Sequence, residues 1–352
     1  MQPALWGFLG DLHPRSILSD PTIIKTKMIS GLRNTPIHVY RLRSRCLTRT
    51  PSVMNIELTN RCNLSCWFCP HQMLKEMKKK DIDWNLFLKY IDQVGELNNV
   101  ERISPVGLGE PFLYPYWENA LRRIKIKLPE ISLRLTTNGT LVDDDIAKRL
   151  FNILGNDDHI LFSLNAGDRE TYRNSMGADK FDSVVDNINR FLQIRKSSER
   201  KPSVEVQIIV TDLTASSVNE FKAQWEGRLD RRKDVVFIRE LENWGGKITT
   251  DRHTLKKITN RYPCVALWNT SVVDVDGNVY PCCEALSDRE KSSLVLGNIN
   301  ETSLKELFVG KRFREIKEKH LRGKWDEFPE CKKCDMWSST QDIWFRTKTG
   351  FK

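Results

Sequence analysis

The sequence predicts an α/β protein: an open, partial (β/α)6 TIM-like barrel followed by a small C-terminal α+β module. Three observations predict it. Between residues 50 and 245, short β-rich runs alternate six times with segments of helical period. The alternation stops at Asn243-Trp244-Gly245-Gly246, after which a hairpin pattern and a single helix appear. The cysteines fall mainly into two groups, one just after the first strand and one in the C-terminal module. Regular βα alternation implies a parallel sheet covered by helices, and six units fall short of the eight that close a full barrel. The expected division is a basic extension over 1–50, the barrel over 51–245 and the cysteine-bearing module over 246–352.

Each element has its own reason. Residues 52–58 (SVMNIEL) are a short β-rich run. A helix over 84–97 carries Trp84, Phe87, Ile91 and Val94 on one face. Strand 102–108, helix 116–128 and strand 131–137 follow, and then helix 143–154 with acids in its first turn, where they complement the helix dipole. Strand 159–165 reads as buried. Helix 181–194 presents Phe181, Val184, Val185, Ile188, Phe191 and Leu192 together. Strand 204–211, helix 217–229 and strand 234–241 complete the series. In the second module a hairpin turns at Asp276-Gly277, and a helix spans 303–319. Residues 1–50 have no clear period, and one further helix over 22–32 is the expectation there.

The chain has 352 residues and a net charge of +10, and that charge sits at its ends. Residues 1–50 contribute +6 and residues 311–352 contribute +5, so the middle is close to neutral. Such flanks suit an acidic partner protein or a phosphorylated substrate, or are simply solvated surface. Nucleic acid is the weakest reading, because no basic-aromatic motif accompanies the charge. No apolar run reaches the ~18 residues of a membrane span. The start shows no basic n-region of a signal peptide. A cytoplasmic location with nine reduced cysteines is expected.

The first cysteine group is RCNLSCWFCP, with Cys62, Cys66 and Cys69 on a strand-to-helix loop at the carboxyl end of strand one. Ligands gather at that end of parallel sheets. A structural zinc site wants four ligands, so three thiolates suggest a centre with one open position. They suit a four-iron cube, or a three-cysteine zinc site completed from elsewhere. The motif resembles the C-x3-C-x-aromatic-C signature of the radical SAM enzymes, with Phe68 as the aromatic residue. The resemblance covers about residues 50–245. It implies S-adenosylmethionine (SAM) bound to the free iron of a [4Fe–4S] cluster and cleaved to a 5′-deoxyadenosyl radical, which the protein orients and shields. It also implies further cofactor-binding positions. Gly109, Glu110 and Pro111 match a Gly-Gly-Glu-Pro motif whose first glycine is here Leu108, and they are expected to hold the methionine ammonium. Asn138 follows strand three. Ser163 and Asn165 stand where the family usually reads Ser-x-Asp, and the missing carboxylate weakens a carried-over role at 165.

The second group is Cys264, Cys282, Cys331 and Cys334, with Cys283 alongside. By spacing alone, four thiolates favour zinc over an iron–sulfur cluster. Downstream of such a core the segment resembles the twitch domain, a shortened SPASM domain, which implies one auxiliary [4Fe–4S] cluster and two clusters in all. Fully ligated, that cluster would pass electrons rather than bind substrate. Cys283 is either an ordinary thiol or a hydrogen-atom donor. Cys46 has no assigned role.

The resemblance therefore implies oxidation of a hydroxyl- or amine-bearing carbon, with the auxiliary cluster as electron acceptor. The alternatives are epimerisation with Cys283 as donor, peptide modification, or a non-catalytic iron–sulfur scaffold. The short N-terminal region lacks a peptide-recognition pattern, which favours a small polar substrate such as a carbohydrate or aminocyclitol. Arg239, Glu240, Asn243 and Lys247 are substrate-facing candidates at strand six. An acidic flavodoxin or ferredoxin is the expected electron donor.

Overall fold

In the computed structural model, residues 49–248, 261–339, 344, 346–347 and 349–351 are described. Residues 1–48 of the basic extension, with the helix expected over 22–32 and Cys46, lie outside them.

Six parallel strands form the barrel: β1 (Val53–Ile56), β2 (Arg102–Ser104), β3 (Ser132–Thr137), β4 (His159–Ser163), β5 (Ser203–Val210) and β6 (Val235–Glu240). The helices between them are α1 (Trp84–Gly95), α2 (Trp117–Lys127), α3 (Asp144–Phe151), α4 (Arg169–Met176), α5 (Phe181–Ser197) and α6 (Val218–Glu226). Side-chain caps start several of them. Asp83 accepts from the amides of Asn85 and Leu86, Asp143 from Ile146 and Asp168 from Thr171. β4 is apolar on both faces, with Ile160, Leu161 and Phe162 all buried, whereas its neighbours carry charges that pair across it, Arg134 of β3 with Glu205 of β5 at 2.5 Å. The amphipathic face of α5 lands where its period places it, with Phe191 against Phe162 and Phe151 at ring-centroid distances of 5.4 and 4.7 Å.

α4 was not anticipated, since it buries only Tyr172, Ser175 and Met176. Its Asp168 cap and its left-handed Gly177 terminus are nevertheless sequence-readable stop and start signals. The single helix expected over 303–319 is two, α8 (Leu304–Val309) and α9 (Lys311–Leu321), broken where Gly310 turns extended.

Most strands of the C-terminal module extend the barrel sheet; among the described residues only the short pair Arg346–Thr347 and Gly350–Phe351 forms a two-stranded sheet apart. After a short helix α7 (Ala266–Asn269), strand β7 (Thr270–Val273) pairs parallel with β1, and β8 (Asn278–Tyr280) and β9 (Gly297–Asn298) follow antiparallel. The result is one nine-stranded sheet in the order β6-β5-β4-β3-β2-β1-β7-β8-β9. The same module also reaches the far edge of the barrel. The turn Trp244–Gly246 after β6 packs on Cys283–Asp288 and on α10 (Pro329–Lys333). It thus touches both open edges, β1 and β6.

Candidate active site

The loop after β1 is pinned from two sides. Ser65 N–H donates to Met176 O at 3.3 Å and Trp67 N–H to Ser175 O at 3.3 Å, so the last carbonyls of α4 hold the cysteine loop. Met176 Sδ also lies 3.6 Å from Cys66 Sγ. Cys62, Cys66 and Cys69 are half-buried. Burial raises all three thiols, Cys69 to about 11, and the neighbouring thiols raise Cys66 further. Lys79 opposes this at Cys69, and its ammonium lies 2.6 Å from His71 Nε2. Three thiols so placed need a cationic centre to ionise, which iron supplies. Phe68 is buried, edge-on to Trp67 at 6.0 Å.

Glu110 stands beside this loop, 2% exposed. Its carboxylate accepts from Thr137 Oγ1 at 2.8 Å, from the amide of Asn138 at 2.8 Å and from that of Phe112 at 3.4 Å. Burial still pushes its carboxyl up to about 7, so a cation would find an acceptor whose charge is otherwise poorly compensated. Gly109 is required by packing, because a Cβ there would run into Thr59 O and lie 2.7 Å from Arg61 O. Pro111 opens the short 3-10 turn that Glu110 caps. Asn138 is joined to the cysteine loop, its amide donating to Asn63 Oδ1 at 2.8 Å and favouring the Cys62 thiolate.

Ser163 accepts from Gln207 Nε2 at 3.3 Å. Asn165 is 2% exposed with φ 56°, a conformation Asn tolerates well. Its carbonyl accepts from Ile209 N–H at 3.0 Å, while its amide faces Met176 Sδ at 3.7 Å. Asn at this position thus ties β5 to α4, and an Asp would lose the donor.

The second group converges as a set: Cys264, Cys282, Cys331 and Cys334 line one cavity with ≈ 360 Å³ of atom-free space, part of it open to solvent. Among the described residues no three His, Cys, Asp or Glu side chains close on a point as a single metal ion requires. Four thiols spread round a cavity suit a polynuclear cluster instead. Burial raises all four thiols, Cys264 to about 11. Two further residues fit a cluster here. Arg261 favours the thiolates of Cys264 and Cys331, and its guanidinium stacks 5.0 Å above Trp325. His320 is 1% exposed, and burial lowers it to about 3, so it is neutral. Its Nδ1 accepts from Cys264 N–H at 3.5 Å, which leaves Nε2–H without a protein partner against the cavity. A cluster sulfide would satisfy it.

Between this cavity and the end of β6 lies a polar junction. Glu284 is 2% exposed; Oε2 accepts from Gly245 N–H at 3.1 Å, and Oε1 has no partner. Arg239 pairs with Glu242, and both act electrostatically on Glu284 and Cys283. Burial first, then Glu284 and Glu242, raise the Cys283 thiol. Of the residues expected near strand six, Arg239 belongs to this junction, while Glu240 is exposed. Asn243 and Lys247 instead tie the module down. Asn243 Nδ2 donates to Lys333 O at 2.7 Å, and Lys247 pairs with Asp288 at 3.0 Å. Sequence reasoning missed Glu242, Glu284, Arg261 and His320: Glu284 and His320 meet Gly245 and Cys264 only across 39 and 56 positions, and the local neighbours of Glu242 and Arg261, Arg239 and Cys264, form no recognisable motif with them.

Comparison with known proteins agrees with this geometry. Residues 56–204 match the radical SAM superfamily and residues 264–335 an iron–sulfur cluster-binding domain, SPASM, so each cysteine group falls inside its own match. The chain is 25% identical over 322 residues to a tungsten-containing aldehyde ferredoxin oxidoreductase cofactor-modifying protein of Pyrococcus furiosus, covering 80% of this chain and 86% of that one. It is 25% identical over 293 residues to an S-adenosyl-L-methionine-dependent 2-deoxy-scyllo-inosamine dehydrogenase of Niallia circulans, covering 81% and 92%. The crystal structure of BtrN in complex with AdoMet and 2-DOIA shares the fold at TM-score 0.55 and 21% identity, over 82% of this chain and 94% of that one. Among the described residues no helix is long and apolar enough to cross a membrane. The chain belongs to the radical SAM superfamily: it is an enzyme with a radical SAM domain, which implies S-adenosylmethionine and a [4Fe–4S] cluster, followed by an iron–sulfur domain of the SPASM type.

Proposed function

We propose that this enzyme dehydrogenates a hydroxyl- or amine-bearing carbon of a carbohydrate or aminocyclitol. The observation that carries the reading is the cavity walled by Cys264, Cys282, Cys331 and Cys334 beside the polar junction at β6. When bound, SAM and a reduced cluster would supply a 5′-deoxyadenosyl radical able to take a hydrogen atom from the substrate carbon. Loss of a proton and one electron then gives the ketone or imine. Cys62, Cys66 and Cys69 hold the SAM-binding cluster. Gly109 and Glu110 receive the methionine ammonium, Asn138 orients the loop, and Pro111, Phe68, Ser163 and Asn165 shape its surroundings. The four later thiolates hold one auxiliary cluster with no open position, which suits an electron acceptor. Arg239, Glu242 and Glu284 offer acceptors and a donor for hydroxyl or ammonium groups. The inosamine dehydrogenase relative supports the substrate class.

The electron donor in this reading is an acidic flavodoxin or ferredoxin. Exposed Lys75, Lys78 and Lys79 follow Cys69 directly and add to the basic flanks. Eight free thiols among the described residues suit a reducing, cytoplasmic setting.

The test pairs a metal count with turnover. Anaerobic reconstitution is expected to give about eight irons per chain and little zinc. With 2-deoxy-scyllo-inosamine and related polyols, wild type should form 5′-deoxyadenosine and oxidised product. Cys264→Ala with Cys282→Ala should still form 5′-deoxyadenosine but no oxidised product. Oxidised product from that variant, or one zinc in place of the auxiliary irons, sinks the acceptor role. A second reading, epimerisation, is favoured by Cys283, whose raised thiol keeps its hydrogen beside Arg239 and Glu242. It requires Cys283→Ala to cleave SAM without inverting the substrate.

A further inference from the structure

A buried ion pair links the two halves of the molecule beside the β1–β7 pairing. Glu57 follows β1 and is fully buried; Arg289 follows the Cys283–Asp288 turn, and its side chain is 6% exposed. The guanidinium grips the carboxylate with both nitrogens, Nη1 to Oε2 at 2.7 Å and Nη2 to Oε1 at 2.8 Å. Oε1 also accepts from Leu108 N–H at 2.8 Å, and Oε2 from Val275 N–H at 3.4 Å. A Cβ on Gly107 would lie 2.6 Å from Oε1, so the loop after β2 sits directly on this carboxylate. Tyr280 donates to Arg289 O at 3.4 Å and to Asp274 Oδ2 at 3.0 Å, which anchors the Arg289 backbone to the hairpin.

We propose that Arg289 is a positioning residue for the SAM-binding loop, acting through Glu57. The inference rests on the reading above that Gly109 and Glu110 receive the methionine ammonium. Leu108 immediately precedes that pair. Gly109 leaves no room for a side chain beside Thr59 O and Arg61 O, and Glu110 N–H donates to Arg61 O at 2.8 Å, so Leu108, Gly109 and Glu110 lie as one packed stretch on the loop after β1. A shift at Leu108 is therefore passed to Glu110. Removing the guanidinium would leave Glu57 as an uncompensated buried charge. It would then draw in water, and its hold on Leu108 N–H would weaken. In the other direction, Arg289 lies seven residues after the cluster ligand Cys282, across one short turn. SAM binding and the seating of the auxiliary module are then coupled, and the coupling is reciprocal. A bidentate pair suits this role because it fixes orientation as well as distance.

The experiment measures SAM affinity by equilibrium dialysis on the full chain, anaerobically reconstituted and matched for iron, for wild type, Arg289→Met, Glu57→Gln, the double variant and Glu110→Gln. The EPR signal of the reduced SAM-binding cluster is recorded with and without SAM. Arg289→Met should weaken SAM binding at least about fivefold, the lower end of typical site-to-site couplings, at unchanged iron content. The double variant should bind no worse than the weaker single one, since both remove one interaction. In wild type, SAM should slow amide exchange across residues 282–289, and Glu57→Gln should lose that protection. Wild-type affinity in iron-loaded Arg289→Met overturns the inference, as do losses that multiply in the double variant. Arg289→Lys keeps the charge but not the fork; if Arg289→Met does not fold, it carries the same test under the same criteria. Weak binding by Glu110→Gln with normal binding by the Arg289 variant breaks the inference alone. Normal binding by Glu110→Gln breaks the ammonium assignment, and the inference with it.

Discussion

Glu110 is a carboxylate with three hydrogen-bond donors and almost no water. Those donors favour the charged form, yet burial wins and its carboxyl titrates near 7 instead of 4.5. The folded chain therefore holds this proton where the unfolded chain has released it. Stability of the cofactor-free protein from this group is lost as pH rises from about 4.5 through about 7. An ammonium reverses the preference. SAM affinity should rise from about pH 5.5 to about pH 7.5, a range in which its α-amino group largely keeps its proton. Glu110→Gln should bind more weakly with a flat profile, and dialysis at several pH values checks both. The Gly-Glu-Pro motif made Glu110 legible in the sequence. Its pH range was not, because that depends on burial beneath residues 137–138.

Elements were legible in proportion to their burial. α1 and α5 carry long apolar faces and were expected within a few residues of their observed ends. α4 has almost no such face, yet it holds the cysteine loop through its last carbonyls. The turn Trp244–Gly246 is another such element, read only as a boundary although it seats the auxiliary module on β6. Gly246 has φ +85°, and a Cβ there would lie 2.5 Å from Lys333 Cβ, between Cys331 and Cys334. Gly246→Ala should push α10 away and cost the auxiliary cluster, so that iron falls from about eight to about four per chain. SAM cleavage should survive. Iron analysis with a 5′-deoxyadenosine assay checks this, and full iron content in the variant contradicts it.

At the scale of the whole molecule, the auxiliary module completes the barrel's architecture. β7 continues the sheet beyond β1, while Cys283–Asp288 and α10 meet the turn beyond β6. This places one cluster cavity beside the strand-six junction, with the cysteine loop across the carboxyl ends of the same sheet. Electrons must enter from outside, and exposed lysines follow the first cysteine group. Reduction by an acidic flavodoxin should slow as salt rises from about 0.05 to about 0.5 M, since screening shortens to a few ångströms. Stopped-flow absorbance measures the rate, and a salt-independent rate removes the docking role of the lysines.

The sequence by itself determined the βα order and both cysteine groups, because periodicity and clustered thiols are local properties; the chemistry of those groups came from the resemblance their motifs carry, since spacing alone left zinc open. Tertiary structure alone decided which groups meet. Glu57 and Arg289 are 232 positions apart, and their pairing follows from β7 adding to β1. Glu284 and Gly245 meet because the module closes on β6. Such contacts depend on how the sheet's edges are covered, and no short-range pattern in the chain encodes that.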